Sequence, residues 1–409
     1  MITGKFKNGS LKVEELNVIK ITKTIRTPFY VYSKKNIVQN YKNFYGTFKN
    51  VKPLICFSVK ANSNLGVLKV LKKLGSGADV VSGGELLKAI KSGINPNKIV
   101  FSGVGKSHEE IELAVKKRIL LINVESESEA NLINKISEKN KVKTRIGIRL
   151  NPDISAATHR KISTGKADDK FGLTRKKLVS FCNQIDKLRG LKLEAISVHI
   201  GSQILSDKPF KKILKVLEDV MNDTNIIFKF VDLGGGFGIP YNSKEKKINI
   251  KNYSTLVEKF QKKFDCQIIF EPGRAIVGNA GMLISKVQFL KEGKNKIFVI
   301  LDAGMNDFMR PALYDANHQI VPVLKKNSFS KKNIEFVGPI CESACKFIKY
   351  KKYQKINEND FVAILDVGAY GSSLSSNYNT RPLPTEILVE KNKFKVVRKR
   401  QSISELIKN

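Results

Sequence analysis

The 409-residue chain has no tryptophan, only five cysteines, and about half as many acidic as basic residues, 37 Asp and Glu against 73 Lys and Arg. No apolar run reaches the ~18 residues that a membrane-spanning helix needs, so no helical membrane span is expected. The first residues, MITGKFKNGSLKVEEL, lack an apolar h-region and a small-residue cleavage site, so no signal peptide is expected. The cysteine count is odd, and Cys341 and Cys345 have neither a second pair nor a nearby histidine. This excludes a disulfide scaffold and a zinc ribbon and predicts reduced thiols in a cytoplasm.

The shortage of acid leaves a net charge of +36. Such a charge invites a nucleic-acid reading. The lysines, however, are spread along the whole chain, as in KKLG, AVKKRI, NKISEKNKVK, KKILK and KKYQK, mostly on polar helix faces and in turns. No basic run is interleaved with aromatics. A Lys/Asn/Ile bias of this kind can arise from AT-rich coding. The expected surface is solvated and lysine-rich, with neither nucleic acid nor membrane as partner.

What is present is ordinary for a folded protein: 42% hydrophobic and 27% charged residues, with Ile, Leu, Val and Phe plentiful. At about 150 residues per domain the length predicts roughly two to three domains. Between residues 54 and 272 eight apolar runs alternate with amphipathic stretches: LICFSV, ADVV, KIVFS, ILLINV, TRIGIRL, LEAISVHI, IIFKFVDLG and CQIIFEP. Continuous apolar runs suit parallel strands covered by helices. The intervening stretches include LGVLKVLKKL, with Asn64 as N-cap and Gly75 at its end, and PFKKILKVLEDVM. Eight such units predict a (β/α)8 TIM barrel, typically ~250 residues, with a doubly wound open sheet as the alternative.

After residue 275 helical periodicity becomes sparse. MLISKVQFLKEGKNKIFVILDAG and EILVEKNKFKVVRKRQS read as hairpins, and HQIVPVL, NIEFVGPI and DFVAILDVGAY as further strands. This predicts a C-terminal β domain of Greek-key or β-barrel-like type. SLKVEEL and VIKITKTI near the N-terminus also read as strands and would join it. The expected division is residues 29–275 for the barrel and 1–28 with 276–409 for the β domain.

Barrel chemistry sits at the C-terminal ends of strands. The first run ends in Lys60, where partial desolvation frees an amine to form a Schiff base; a solvated lysine is the plainer alternative. The second carries Asp79. The sixth ends VHIGSQ, placing His199 beside Gly201 and Ser202. The seventh ends DLGGGFG, where Gly234, Gly235 and Gly236 can present backbone N–H groups to an anion, although tight turns also use glycine triplets. The eighth ends FEPGR, with Glu271 and Arg274 bracketing Gly273. Such a carboxylate can bind a protonated ring nitrogen, and the guanidinium a phosphate or carboxylate. An amine, a flat ring, a phosphate cradle, a carboxylate and a guanidinium together form the set that pyridoxal 5'-phosphate (PLP) requires.

The motifs SVKAN, ADVVSGGEL, TGKADDKFGL, HIGSQI, LGGGFGIPY, EPGRAIVGNAG, MRPALYDANH, GPICES and GAYGSSLSSNYNTRPLPTE run almost end to end. Through them the chain resembles the PLP-dependent group IV decarboxylases of alanine racemase-like barrel fold, and within that group the diaminopimelate decarboxylases. The resemblance implies that Lys60 holds PLP, that His199 stacks on its ring and that Glu271 pairs with the ring nitrogen, with Asp79 and Gly273 in the same cofactor site. It implies that Ser202, the Gly234–Gly236 backbone, Arg274 and Tyr370 surround the phosphate or the reacting end. Arg274, Arg310, Tyr314 and Tyr370 would bind the small amino-acid substrate, Glu342 its distal ammonium, and Cys341 would protonate carbon after carbon dioxide leaves. In the family the latter two come from the partner subunit, which implies a homodimer with shared sites. The implied reaction converts meso-2,6-diaminopimelate, at its D centre, to L-lysine.

Two positions depart from the family pattern: Cys345 stands where an Asp is usual, and Asp169 where a Ser is usual. Competing expectations are a decarboxylase of ornithine, arginine or carboxynorspermidine, for which Arg310 is unsuited, and a non-catalytic PLP-binding barrel, which would lack the β domain.

Overall fold

The computed structural model describes residues 4–156, 160–162, 164–166, 168–224, 226–242 and 244–408. Ala167 of the TGKADDKFGL motif lies outside them. Two compact units emerge: residues 41–239 with 246–275, and residues 1–40, 240–245 and 276–409.

The first unit is a closed parallel barrel. Its strands are β1 (Leu54–Ser58), β2 (Gly77–Val80), β3 (Ile99–Phe101), β4 (Leu121–Val124), β5 (Thr144–Leu150), β6 (Leu191–Val198), β7 (Phe230–Asp232) and β8 (Gln267–Phe270). They neighbour one another in sequence order, and β8 returns to β1. Each falls on one of the eight apolar runs. Nearly all their residues are buried, because helices cover the outside while side chains fill the interior. The helices start where short polar side chains can take orphan N–H groups. Asn64 accepts from Gly66 ahead of Leu65–Lys73, Ser82 accepts from Glu85 ahead of Gly83–Lys91, and Ser107 forms a capping box with Glu110.

An aromatic cluster backs the end of this barrel. Phe48 and Phe270 have ring centroids 4.3 Å apart, and Phe210 stacks on Phe237 at 4.6 Å. Tyr253 closes the group at 5.4 Å from Phe210. Such pairs contribute about 0.5–1.5 kcal/mol each beyond area burial. Because Phe237 follows the glycine triplet directly, the cluster anchors the loop that leaves β7.

The second unit is built on a mixed sheet. The strand Gly281–Glu292 pairs with Lys296–Leu301, with Phe361–Leu365 and with Phe29–Ser33. Thr385–Glu390 runs parallel to Phe29–Ser33 and forms a hairpin with Lys393–Arg398. Its core gathers Val31, Met282, Ile284, Ala363, Ile387 and neighbours. The N-terminal strands Lys5–Lys7, Ser10–Val13 and Leu16–Asn17 join this unit through Leu11 N–H to the Val323 carbonyl at 2.8 Å.

Three details differ from the sequence reading. FYVYS (29–33), placed at the start of the barrel segment, pairs instead within the sheet, since an apolar run of this length suits either setting. VIKIT (18–22) is a short helix, not a strand: the Asn17 side chain caps it by accepting from Ile19, and Val18 and Ile21, three apart, share the buried face. KFIKY (346–350) is an additional strand paired with Asn333–Val337. Lys346 and Lys349 break its apolar residues Phe347, Ile348 and Tyr350 into a short stretch with neither a continuous run nor a strict alternation.

Candidate active site

The C-terminal ends of the barrel strands converge on a cavity of about 330 Å3 lined by Lys60, Ser102, Asn123, His199, Asp232 and Glu271, among others. Lys60 leaves β1 in a short 3-10 turn, Val59–Ala61. Its Nζ donates to Asp79 Oδ2 at 2.9 Å; Asp79 is fully buried while the lysine side chain keeps about a third of its surface open. Ser58 Oγ lies 2.7 Å from the same Asp79 oxygen and 3.0 Å from the Glu271 carbonyl. The other Asp79 oxygen is buried with no hydrogen-bond partner among the described residues.

Glu271, at the end of β8, is held well above the usual carboxylate range, first by burial and then by the charges of Asp232 and Asp79. Asp232, at the end of β7, is raised as well, chiefly by burial. Neutral donors surround this pair: Gly234 N–H to Asp232 Oδ1 at 2.9 Å, Asn123 Nδ2 to Asp232 Oδ2 at 3.2 Å, and Ser102 Oγ to Glu271 Oε1 at 3.4 Å.

His199 follows β6 and its ring faces the cavity. Its Nδ1 accepts the Gly235 N–H at 3.2 Å. Burial, and then the positive charges of Lys60 and Arg149, press its basicity well below the usual imidazole range, so the ring is neutral. Arg149 is itself tied to Glu125 at 2.6 Å and donates to the His199 carbonyl at 3.3 Å.

The glycine triplet is required by close approach. A Cβ on Gly235 would sit 2.2 Å from the Glu271 carbonyl oxygen, and Gly234 has φ +63. Two of its three N–H groups are spent inside the protein, on Asp232 and His199, and among the described residues no acceptor meets the N–H of Gly236. Close by, Arg274 Nη2 donates to Ser202 Oγ at 3.1 Å, and Gly273 packs so tightly on Ala61 that a Cβ would stand 2.8 Å from the alanine methyl.

These residues fit PLP. The barrel mouth offers a lysine amine, a neutral flat imidazole, a carboxyl group short of a cation to suit a ring nitrogen, and a glycine loop beside a guanidinium to suit a phosphate.

The sheet unit carries the remaining candidates. Arg310 and Tyr314 begin and end the short helix Arg310–Tyr314. Arg310 is buried: its guanidinium lies 5.0 Å over the Tyr241 ring, and its Nε donates to His318 Nε2 at 3.3 Å. His318 Nδ1 lies 2.9 Å from the Leu365 carbonyl, which sets the tautomer that accepts from Arg310. Cys341 and Glu342 are exposed on the loop between Asn333–Val337 and Lys346–Tyr350, where Glu342 accepts from the Tyr378 hydroxyl. Tyr370 is half-buried at φ +55 in the glycine loop after Phe361–Leu365. Cys345 is buried and accepts the Met305 N–H at 3.3 Å, and burial raises its thiol. Asp169 accepts the Lys166 N–H at 2.9 Å, a local turn.

Sequence reasoning passed over Asp232, Asn123 and Arg149 in the barrel and His318 and Tyr241 in the sheet unit. Asp232 stands two residues before the first glycine of the triplet and His318 ends MRPALYDANH, so both stood inside motifs already singled out. Asn123 and Arg149 carried no signal beyond being polar within apolar runs.

Comparison with known proteins agrees with this geometry. The family model for the pyridoxal-dependent decarboxylase, pyridoxal binding domain, matches residues 34–278. A diaminopimelate decarboxylase from Aquifex aeolicus is 39% identical over 406 residues, covering 98% of this chain and 96% of that protein. One from Helicobacter pylori strain J99 is 43% identical, covering 95% and 97%. The crystal structure of the Helicobacter pylori diaminopimelate decarboxylase complexed with L-lysine superposes with a TM-score of 0.90 at 42% identity, covering 95% of this chain and 98% of that one.

Proposed function

The chain belongs to the pyridoxal-dependent decarboxylases and, within them, to the diaminopimelate decarboxylases, and on that premise we propose that it removes the carboxylate at the D centre of meso-2,6-diaminopimelate to give L-lysine and carbon dioxide. The observation that carries the reading is the barrel-mouth cluster, in which the Lys60 amine is held at 2.9 Å from a buried carboxylate beside a neutral His199 and the raised Glu271. PLP, when bound, supplies an electron-poor ring that accepts the electron pair left as the carboxylate departs.

The chain's own residues do the rest. Lys60 anchors the cofactor through its amine, and Asp79 orients that amine. His199 offers an uncharged face to the ring, and Glu271 holds a proton at the ring nitrogen. Gly236, Ser202 and Arg274 hold the phosphate, with Tyr370 at the reacting end. Arg310 and Tyr314, with Arg274, take the retained carboxylate. Arg310 suits that role because Tyr241 and His318 fix its fork before any ligand arrives, and a pre-oriented fork loses less entropy on binding. Glu342 takes the retained ammonium, and Cys341 returns a proton to the carbon that has lost carbon dioxide.

Cys341 and Glu342 are exposed in the single chain, which supports a homodimer in which they complete the partner's site. All five cysteines are free, which supports a cytoplasmic setting. Among the described residues no helix is long and apolar enough to cross a membrane.

The test is carbon dioxide release from purified protein with PLP, given meso-diaminopimelate, L,L-diaminopimelate, ornithine and arginine in parallel. Release from the meso isomer alone, with L-lysine as product, supports the proposal. Release from ornithine or arginine overturns the distal-site assignment, and no release with PLP bound overturns the activity.

A further inference from the structure

Three buried carboxyl groups meet beneath the barrel mouth, and of the cations lining that cavity among the described residues Lys60 is the one ion-paired with any of them. Asp79 takes the Lys60 ammonium at 2.9 Å. Asp232 and Glu271, 1% and 5% exposed, have each other. Their side chains are in mutual hydrogen-bond contact. Two carboxyl groups make that contact only with a hydrogen between them.

Among the described residues the groups in contact with the pair are neutral or already paired; Lys170 also lines the cavity, its Nζ lying 5.6 Å from the Phe171 ring. From β1, the Cys56 thiol is buried and held un-ionised by burial and by the two carboxyls themselves. From β3 and β4, Ser102 and Asn123 supply neutral donors. From β6, His199 is neutral. Arg149 is paired with Glu125 at 2.6 Å. A second uncompensated negative charge in this enclosure is strongly disfavoured by burial, so one carboxyl stays protonated.

Resting on the functional reading above, we propose that Asp232 and Glu271 hold one proton between them in the cofactor-free enzyme, and that Asp232 is the positioning residue that keeps this proton ready for the ring nitrogen of PLP. On docking, the Glu271 O–H bond breaks and its electron pair stays on the carboxylate oxygen. The nitrogen lone pair takes the proton. The resulting ring cation then balances the charge that the pair acquires, so binding a cofactor whose ring arrives unprotonated draws no proton from solvent.

Infrared difference spectra of the cofactor-free protein at pH 8 test the first half. Subtracting Asp232→Asn or Glu271→Gln from wild type should reveal the carbonyl stretch of one protonated carboxyl group. In either variant the amide N–H takes over the shared hydrogen's place and the remaining carboxyl ionises. Absence of that band from both differences overturns the proposal. Far-UV circular dichroism establishes that the near-isosteric variants are folded.

The second half is read by calorimetric titration with PLP in buffers of different ionisation enthalpy. Asp232→Asn should take up about one more proton per PLP than wild type. Equal uptake overturns the hand-over. The band present but no PLP bound would overturn the functional reading and leave the shared proton standing. PLP bound with no band would do the reverse.

Discussion

At the barrel mouth every reactive side chain is tied down: Lys60 to Asp79, Glu271 to Asp232, His199 to the Gly235 N–H. In the sheet unit Cys341 and Glu342 stand exposed on a loop, while Arg310 in the same unit is buried and braced by His318 and Tyr241. On the function proposed above, the difference follows from what each group would do. Groups that hold a cofactor need fixed positions and altered proton affinity, and low dielectric provides both. A group that completes a site on another copy must remain accessible on its own chain until that copy arrives.

The contrast can be broken most sharply at Lys60. Lys60→Ala should abolish turnover and the absorbance of bound PLP, and a variant that keeps turnover would remove the barrel from the chemistry altogether. Next in size is Cys341→Ala, which should lower kcat by about 10²–10⁴-fold, the range for a lost general acid, while PLP absorbance is retained. Mixing the two inactive variants sharpens the point. If sites are shared between subunits, random re-pairing restores about a quarter of wild-type activity. A mixture that stays dead would place Cys341 in its own chain's site.

A smaller effect is expected at the brace. His318→Gln leaves Arg310 over Tyr241 but without its fixed acceptor. KM for meso-diaminopimelate should rise roughly tenfold, about 1.4 kcal/mol, with kcat little changed. An equal fall in kcat at unchanged KM would mean that Arg310 acts in the chemical step.

The smallest effect concerns stability. Asp366, at φ +58 just after Phe361–Leu365, has a buried oxygen without a hydrogen-bond partner among the described residues, and burial raises it from 3.8 to about 7. A carboxyl raised in the folded state favours folding below its unfolded value, and that contribution is lost as pH rises through about 7. Asp366→Asn should therefore raise Tm more at about pH 8 than at about pH 5. The opposite ordering in a thermal melt would show that the carboxylate is stabilised by a partner.

Much of the fold was legible because it rests on local pattern. The eight barrel strands fall on eight apolar runs, and Asn64 caps the helix where its position before LGVLKVLKKL suggested. VIKIT misled because five β-branched or long residues read alike as strand or single helical turn, and the Asn17 cap decides between them. FYVYS misled because burial on both faces is common to barrel and sheet. In the site, Lys60, His199 and Glu271 were legible as polar ends of apolar runs. His318 was not, since its role exists only through Arg310 and a carbonyl at Leu365.

The linear order of residues by itself determined the alternation of strand and helix and which polar side chain ends each strand, because periodicity and covalent spacing are local. Only the tertiary structure decided how those side chains behave. Asp232 and Glu271 become one proton-sharing pair, the glycine N–H groups turn inward to Asp232 and His199, and the imidazole loses its charge. Proton affinity and hydrogen-bond partnership depend on distance and burial in space, and residues far apart in the chain set both.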